Sequence, residues 1–270
     1  QNQFHVVQDD GGSLEEIAKK YNVGFLALLQ ANPGVDPYVP RAGSVLTIPL
    51  QTLLPDAPRE GLVINLAELR LYYYPPGKNE VTVYPIGIGQ LGGTTITPTM
   101  VTTVSDKRAN PTWTPTANIR ARYKAMGIEL PAVVPAGPDN PMGHHAIRLA
   151  AYGGVYLLHG TNADFGIGMR VSSGCIRLRD NDIKALYNTI SPGTKVNIIN
   201  TPIKASVEPD GRRLVEVHQP LSEHIDDDPQ TLPITLNAAM TAFKQAPQTD
   251  GTVMERAMNY RSGMPIDVTR

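Results

Sequence analysis

The sequence predicts a mainly β chain that begins with a small βααβ unit and ends in an accessory α+β subdomain. Three observations carry this. Gly and Pro supply 24 residues each out of 270, which favours turns over long helices. Short β-branched and aromatic runs bounded by turn residues recur between residues 61 and 199. Apolar residues make up 41% and charged residues 18%, enough for a packed core and too few charges for global disorder.

Residues 3–49 form the first unit. Phe4, Val6 and Val7 predict a strand. Ser13-Leu14-Glu15-Glu16 has the spacing of a capping box, in which hydroxyl and carboxylate satisfy orphan amides. Leu14, Ile17, Ala18 and Tyr21 then fall on one helix face. Phe25, Leu28 and Leu29 repeat the pattern until Asn32-Pro33-Gly34 stops it, and Val45–Ile48 is the closing strand.

Residues 50–60, with Pro55 and Pro58, read as a linker. In the domain at 61–199, strands are predicted at Leu62–Ile64, Leu69–Tyr74, Val81–Tyr84, Val155–Leu158 and Lys195–Ile199. Residues 106–143 read as irregular and proline-rich, with one helix around Ile119, Tyr123 and Met126. Ile183, Leu186, Tyr187 and Ile190 mark an amphipathic helix. In the subdomain at 200–270, Glu208–Gly211 turns a hairpin between 205–207 and 214–217, Asp226–Asp228 reads as a solvated loop, and Val253, Ala257 and Tyr260 mark a last helix.

A net charge of −1 leaves no excess of cations for displacing counterions from nucleic acid. No window approaches eighteen continuous apolar residues, so no transmembrane segment is predicted. The chain begins at Gln1, so the lack of a leader is no argument for the cytoplasm.

The chemistry concentrates around the single cysteine, Cys175, which excludes an internal disulfide. A thiol attacks as thiolate, so it needs a base or a positive field. His159 ends a predicted strand and can face Cys175 from a neighbouring one. Gly174 admits close backbone approach, and the amides near Gly174 and Cys175 can donate to an oxyanion. Arg170, Arg177 and Arg179 are expected to lower the thiol pKa and to receive a carboxylate. On residue types alone, a buried, inert cysteine is the competing reading.

Residues 3–49 resemble a LysM module through Ser13-Leu14-x-x-Ile17-Ala18, Leu29-x-Ala31-Asn32-Pro33-Gly34 and Pro40-x-x-Gly43-x-x-Leu46-x-Ile48-Pro49. The resemblance implies binding of N-acetylglucosamine-containing glycans such as peptidoglycan. Residues 61–199 resemble the YkuD-type L,D-transpeptidase catalytic domain, a β-sandwich, through His159-Gly160 and Ser172-Ser173-Gly174-Cys175-Ile176-Arg177. Val63-Ile64-Asn65 and Tyr84-Pro85-Ile86-Gly87-Ile88-Gly89 also fit. Ser173 stands where many members carry a second histidine.

That resemblance implies roles. Cys175 is the nucleophile, His159 the general base and acid, and the Gly160 carbonyl orients the imidazole. Gly174 lies at the oxyanion site, and Arg177, Ser172, Ser173 and Trp113 bind substrate. The implied reaction is ping-pong acyl transfer from a peptidoglycan tetrapeptide stem through a Cys thioester, with loss of D-Ala and no metal or organic cofactor. It also implies acylation by carbapenems and a periplasmic location. The Asn110–Thr116 and Pro135–Gly143 segments and the tail resemble the Gram-negative subgroup. There the acceptor is the C-terminal lysine of the outer-membrane lipoprotein, or a second stem in 3–3 cross-linking. Hydrolysis on the same fold and non-catalytic wall binding are the alternatives. A lone thiol in an oxidising compartment also predicts dependence on an external thiol reductant.

Other signals are set aside. Gly87-x-Gly89-x-x-Gly92 precedes a β-branched, proline-broken stretch rather than the helix a dinucleotide site needs. Its glycines are expected to shape a turn beside the site. His144, His145 and His159 lack metal-site spacing. His5, His218 and His224 read as surface or packing residues, and Tyr72–Tyr74 as core. Ser172 and Ser173 lack a G-x-S-x-G elbow.

Overall fold

The computed structural model describes residues 1–89, 97–162, 166–172, 175–224 and 226–270. The first unit runs β1 (Gln3–Val6), α1 (Leu14–Tyr21), α2 (Phe25–Ala31) and β2 (Val45–Ile48), the two strands pairing antiparallel. The Ser13 hydroxyl accepts from the Glu16 N–H at 3.3 Å and caps α1. Leu14, Ala18, Leu28, Leu46 and Ile48 fill its core with Val7, Ile17 and Val23. Each fully buried Leu or Ile is worth about 1.5–3 kcal/mol. Asn32 ties α2 to β2, donating to the carbonyls of Leu28 and Thr47 and accepting from the Thr47 N–H.

The central domain contains β3 (Gly61–Asn65), β4 (Arg70–Tyr74), β5 (Thr82–Pro85), β6 (Ile88–Gly89), β7 (Met100–Ala109), α3 (Ala117–Ala125), β8 (His145–Leu149), β9 (Leu157–His159), β10 (Arg170–Ser172), β11 (Ile176–Arg177), α4 (Asp180–Thr189) and β12 (Lys195–Ile199). Its main sheet has eight strands in the order β11-β9-β8-β7-β12-β3-β4-β5, and β6 and β10 form a short parallel pair. Strand β7 joins the two halves of the sheet. Met100–Thr103 pair with β12, and residues from Val104 to Ala109 pair with β8 after a register shift between Val104 and Asp106. Such a bulge bends the strand and curls the sheet. Leu62, Ile64, Leu71, Val104, Ile147, Leu158, Ile183 and Leu186 pack into one core.

Three expectations shift. Residues 106–109 are strand, so the irregular stretch begins at 110. Leu69 is left-handed at φ 54, closing a 3₁₀ turn instead of opening β4. Val155 ends a second 3₁₀ turn, so β9 starts at Leu157.

The C-terminal domain pairs β13 (Ile203–Val207), β14 (Arg213–Val217) and β15 (Pro265–Asp267) antiparallel, with α5 (Ala238–Gln245) and α6 (Gly251–Tyr260). Val215, Val217, Met254 and Val268 are its buried centre. The hairpin and α6 follow from the sequence pattern, whereas α5 and β15 do not. Helix α5 is eight residues with none buried, and β15 exists only by its long-range pairing with β14.

Residues 50–60 connect the units while lying packed. The Leu53 N–H donates to Glu216 Oε1 at 2.8 Å and its carbonyl accepts from Lys204 Nζ at 2.6 Å. These contacts belong to a buried charge cluster. Lys204 Nζ lies 3.0 Å from Glu68 and 2.7 Å from Glu216, and Arg70 Nη1 lies 3.3 Å and 3.5 Å from the same carboxylates. Tyr72 donates to Glu68, and His218 Nε2 bonds Glu216. Burial works to raise the Glu216 carboxyl, but His218, Lys204 and Arg70 overrule it and hold it far below the usual range. His218 is therefore part of a polar network, not a surface residue. Glu68, Glu216 and His218 would suit a metal ion, but the Lys204 ammonium already supplies the cation there.

Candidate active site

Strands β9 and β11 are parallel neighbours, with Leu158 opposite Ile176 and His159 opposite Arg177. Leu158 and Ile176 point into the core. Alternation along each strand sends Leu157, His159, Cys175 and Arg177 to the opposite face. That face forms one end of a cleft of about 1340 Å³, which Trp113, Tyr123, Met126, Arg148 and Tyr156 also line. The sequence-predicted Cys175, His159, Arg177 and Trp113 thus share one cavity.

His159 is buried, at 8% exposure. Its Nδ1 lies 2.6 Å from the Gly160 carbonyl. A carbonyl only accepts, so Nδ1 carries the hydrogen and Nε2 keeps its lone pair. Burial, helped by the charge of Arg177 and against the Gly160 hydrogen bond, brings the imidazole down to about 4. At neutral pH the ring is therefore uncharged and able to take a proton. Gly160 is itself held, its N–H donating to the His145 carbonyl at 3.1 Å. Gly143, at φ 68, packs so closely that a Cβ there would lie 2.6 Å from the Thr161 nitrogen and 2.9 Å from the Gly160 carbonyl carbon.

Cys175 is half-buried. Burial pushes its thiol up, and a backbone hydrogen bond from Leu157 opposes this only in part. Arg170, Arg177 and Arg179 are expected to lower it; the side chain of Arg170 lies outside the described residues. Arg177 is turned to Thr161, its Nη2 donating to Oγ1 at 2.6 Å. Arg179 points away altogether, donating to Asn22 Oδ1 at 2.7 Å and the Val23 carbonyl at 3.0 Å. Desolvation therefore outweighs the positive field, and the resting pair is thiol and neutral imidazole.

The backbone of Ser172 lies in β10 opposite Gly89. Its side chain, with Ser173 and Gly174, lies outside the described residues, as do residues 90–96 of the glycine-rich stretch. Gly87 exchanges two 2.9 Å backbone hydrogen bonds with Arg177 and so braces the site. Trp113 exchanges backbone hydrogen bonds with Val134, closing the irregular segment on itself. Buried Asn140 ties that segment further, donating to the carbonyls of Pro111 and Pro135. His144 lies 3.8 Å from Asp180, and His145 packs on Tyr187.

Sequence reasoning missed Arg148 and Tyr156 as cleft residues and Thr161 as the partner of Arg177. Arg148 carried a faint signal, a charge within the apolar alternation of 145–149. Arg108, Arg122, Arg148 and Arg177 make the cleft cationic, against Asp106 as the acidic residue lining it.

Comparison with known proteins now adds to the geometry. Residues 4–49 match the LysM domain, residues 59–198 the L,D-transpeptidase catalytic domain of the YkuD family, and residues 202–268 the L,D-transpeptidase C-terminal domain. The probable L,D-transpeptidase YcfS of Escherichia coli K12 is 86% identical over 270 residues, all of this chain and 84% of that protein. The probable L,D-transpeptidase YbiS of the same strain is 52% identical over 255 residues, 94% of this chain and 82% of that one. ErfK/SrfK of the same strain, also a probable L,D-transpeptidase, is 50% identical over 260 residues, 95% and 82% of the two chains. A catalytic-domain match over more than half of the chain, spanning His159 and Cys175, together with relatives this similar along nearly its whole length, shows that the chain belongs to the L,D-transpeptidase family.

Proposed function

We propose that Cys175 is the nucleophile and His159 its base in acyl transfer on peptidoglycan tetrapeptide stems. The observation that carries this is the His159–Gly160 hydrogen bond, which leaves Nε2 unprotonated in the cleft that holds the chain's one thiol.

His159 Nε2 takes the thiol proton as Cys175 Sγ bonds to the stem's third-residue carbonyl carbon. A raised thiol beside a neutral imidazole means the proton moves during attack, not before it. Backbone amides at Gly174 and Cys175 receive the oxyanion. The C–N bond to D-Ala then breaks, His159 returns its proton to the departing amine, and a thioester remains. An acceptor amine attacks the thioester, its C–N bond forms, and the C–S bond breaks to release the thiol.

Arg177, Ser172, Ser173 and Trp113 bind substrate in this reading. The cationic cleft suits the carboxylates of a stem peptide. Its size suits a second peptide, and the acceptor we infer is the C-terminal lysine of an outer-membrane lipoprotein. In this reading the LysM module holds the glycan, the enzyme works in the periplasm, and an external thiol reductant keeps Cys175 reduced. Among the described residues no helix is long and apolar enough to cross a membrane.

The test is mass spectrometry after carbapenem exposure, wild type beside Cys175→Ala, followed by incubation with a disaccharide-tetrapeptide and a peptide ending in lysine. An adduct lost in the variant, then a lysine-linked product, supports the reading. No adduct on reduced wild type overturns the nucleophile. A stem dimer or free tripeptide instead of the lysine product overturns the acceptor.

A further inference from the structure

The α1–α2 turn of the LysM module, Asn22–Leu26, is seated against the chain on both sides of Cys175. On the upstream side, the Phe25 N–H donates to the Ile167 carbonyl and the Leu26 N–H to the Gly168 carbonyl, each at 3.3 Å. These are the first amides of α2, whose cap residue Gly24 offers no side-chain acceptor. Catalytic-domain carbonyls thus cap a LysM helix. Glu15 Oε1 accepts from the Gly166 N–H at 3.3 Å. Gly168, at φ 81, lies so close that a Cβ on it would fall 2.4 Å from Gly24 Cα. The same segment also faces the active site's framework, since the Gly168 N–H donates to the Ile86 carbonyl and the adjoining Met169 carbonyl accepts from the Ile88 N–H.

On the downstream side, Arg179 and Asp182 are both buried. Arg179 donates to Asn22 Oδ1 and the Val23 carbonyl, and Asn22 Nδ2 lies 3.0 Å from both Asp182 oxygens. Residues 166–168 lead into β10 before Cys175, and Arg179 follows β11 just after it. One turn therefore fixes both ends of the nucleophile's segment.

We infer that the LysM turn is a positioning element of the catalytic site, so that its docking sets the reactivity of Cys175 toward small substrates that carry no glycan. The inference rests on Cys175 being the nucleophile. A LysM module that served only to hold the wall would leave such reactions untouched. The sensitivity is expected because misplacement by about 1 Å costs on the order of a hundredfold in rate.

The 270-residue chain tests this without ambiguity of site, since it has one cysteine. Two rates are measured: alkylation of Cys175 by iodoacetamide across pH, and acylation by a carbapenem. The variants are Gly24→Leu, which wedges the contact apart, Asn22→Asp, which sets two carboxylates together, and Asn22→Asp with Asp182→Asn, which restores a donor–acceptor pair. Tyr38→Ala, 81% exposed on the same module, is the control. The expected result is a shifted alkylation pH profile and acylation slowed about tenfold or more in the first two, recovery in the double variant, and wild-type behaviour in the control. Profiles that superimpose on wild type, or a control that moves as far as Gly24→Leu, overturn the inference. Absence of carbapenem acylation in wild type overturns the nucleophile assignment instead, and the alkylation profiles still decide the positioning role.

Discussion

His159 donates from Nδ1 to the carbonyl of its own neighbour, Gly160, at 2.6 Å. No acidic side chain is needed to fix the tautomer, and burial keeps the ring neutral. A carboxylate in that place would have raised the imidazole; a carbonyl orients it at smaller electrostatic cost.

The rate of acylation should therefore have an acid limb near pH 4 and no inflection between 6 and 7. Stopped-flow acylation between pH 3.5 and 9 checks this. His159→Gln should slow acylation by about a hundredfold or more while keeping the fold. An acid limb at 6.5 in wild type would show a solvated, unheld histidine.

The same depression is a stability statement. The folded imidazole titrates at about 4 and an unfolded one near 6.5, so the unfolded chain binds the extra proton between them. The contribution, roughly 3 kcal/mol, is full above 6.5 and is lost as pH falls toward 4. Urea midpoints for wild type and His159→Gln should converge as pH drops through that window.

Gly143→Ala should damage activity more than its distance from the thiol suggests. The residue is left-handed at φ 68, and its Cβ would press on Thr161 and Gly160. Gly160 moves, and with it the carbonyl that holds His159. A loss of about tenfold in kcat with KM little changed is expected from steady-state assays with a soluble tetrapeptide. Trp113→Ala should do the opposite, raising KM with kcat nearly intact.

Glu216→Ala should destabilise the chain by about 3–5 kcal/mol, because Lys204 and Arg70 would stay buried without half of their countercharge. Lys204→Met should cost less, since its stem volume is kept and Arg70 still faces both carboxylates. Chemical denaturation orders the two.

Much of this was legible in the residues themselves. The Ser13 cap, the turn at Asn32, the strand ending in His159 and the glycine-flanked Cys175 each announce a local geometry. What escaped was set by distant packing. Arg179 reads as one of three cations beside a thiol, and only the docked LysM turn shows it facing elsewhere. The thiol's direction of shift depends on burial, which spacing does not report. Lys204 and Glu216 are charged residues within short strands and His218 follows the second, and nothing local says that Lys204 meets Glu68, 136 residues earlier. Strand β15 has three residues and no periodicity to read.

The meeting of Lys204 with Glu68 also bears on when the enzyme can finish folding. Glu68, Arg70 and Tyr72 belong to the first hairpin of the catalytic domain, where Arg70 pairs with Glu68, but the second ion pair that encloses them arrives only with Lys204 and Glu216. A chain emerging N-terminus first leaves the Glu68–Arg70 pair uncovered until residues 204–216 are made. Burial of the catalytic domain's charged hairpin thereby waits for residues 204–216, and a product cut before them should stay open to proteases instead of persisting as a partly active transpeptidase.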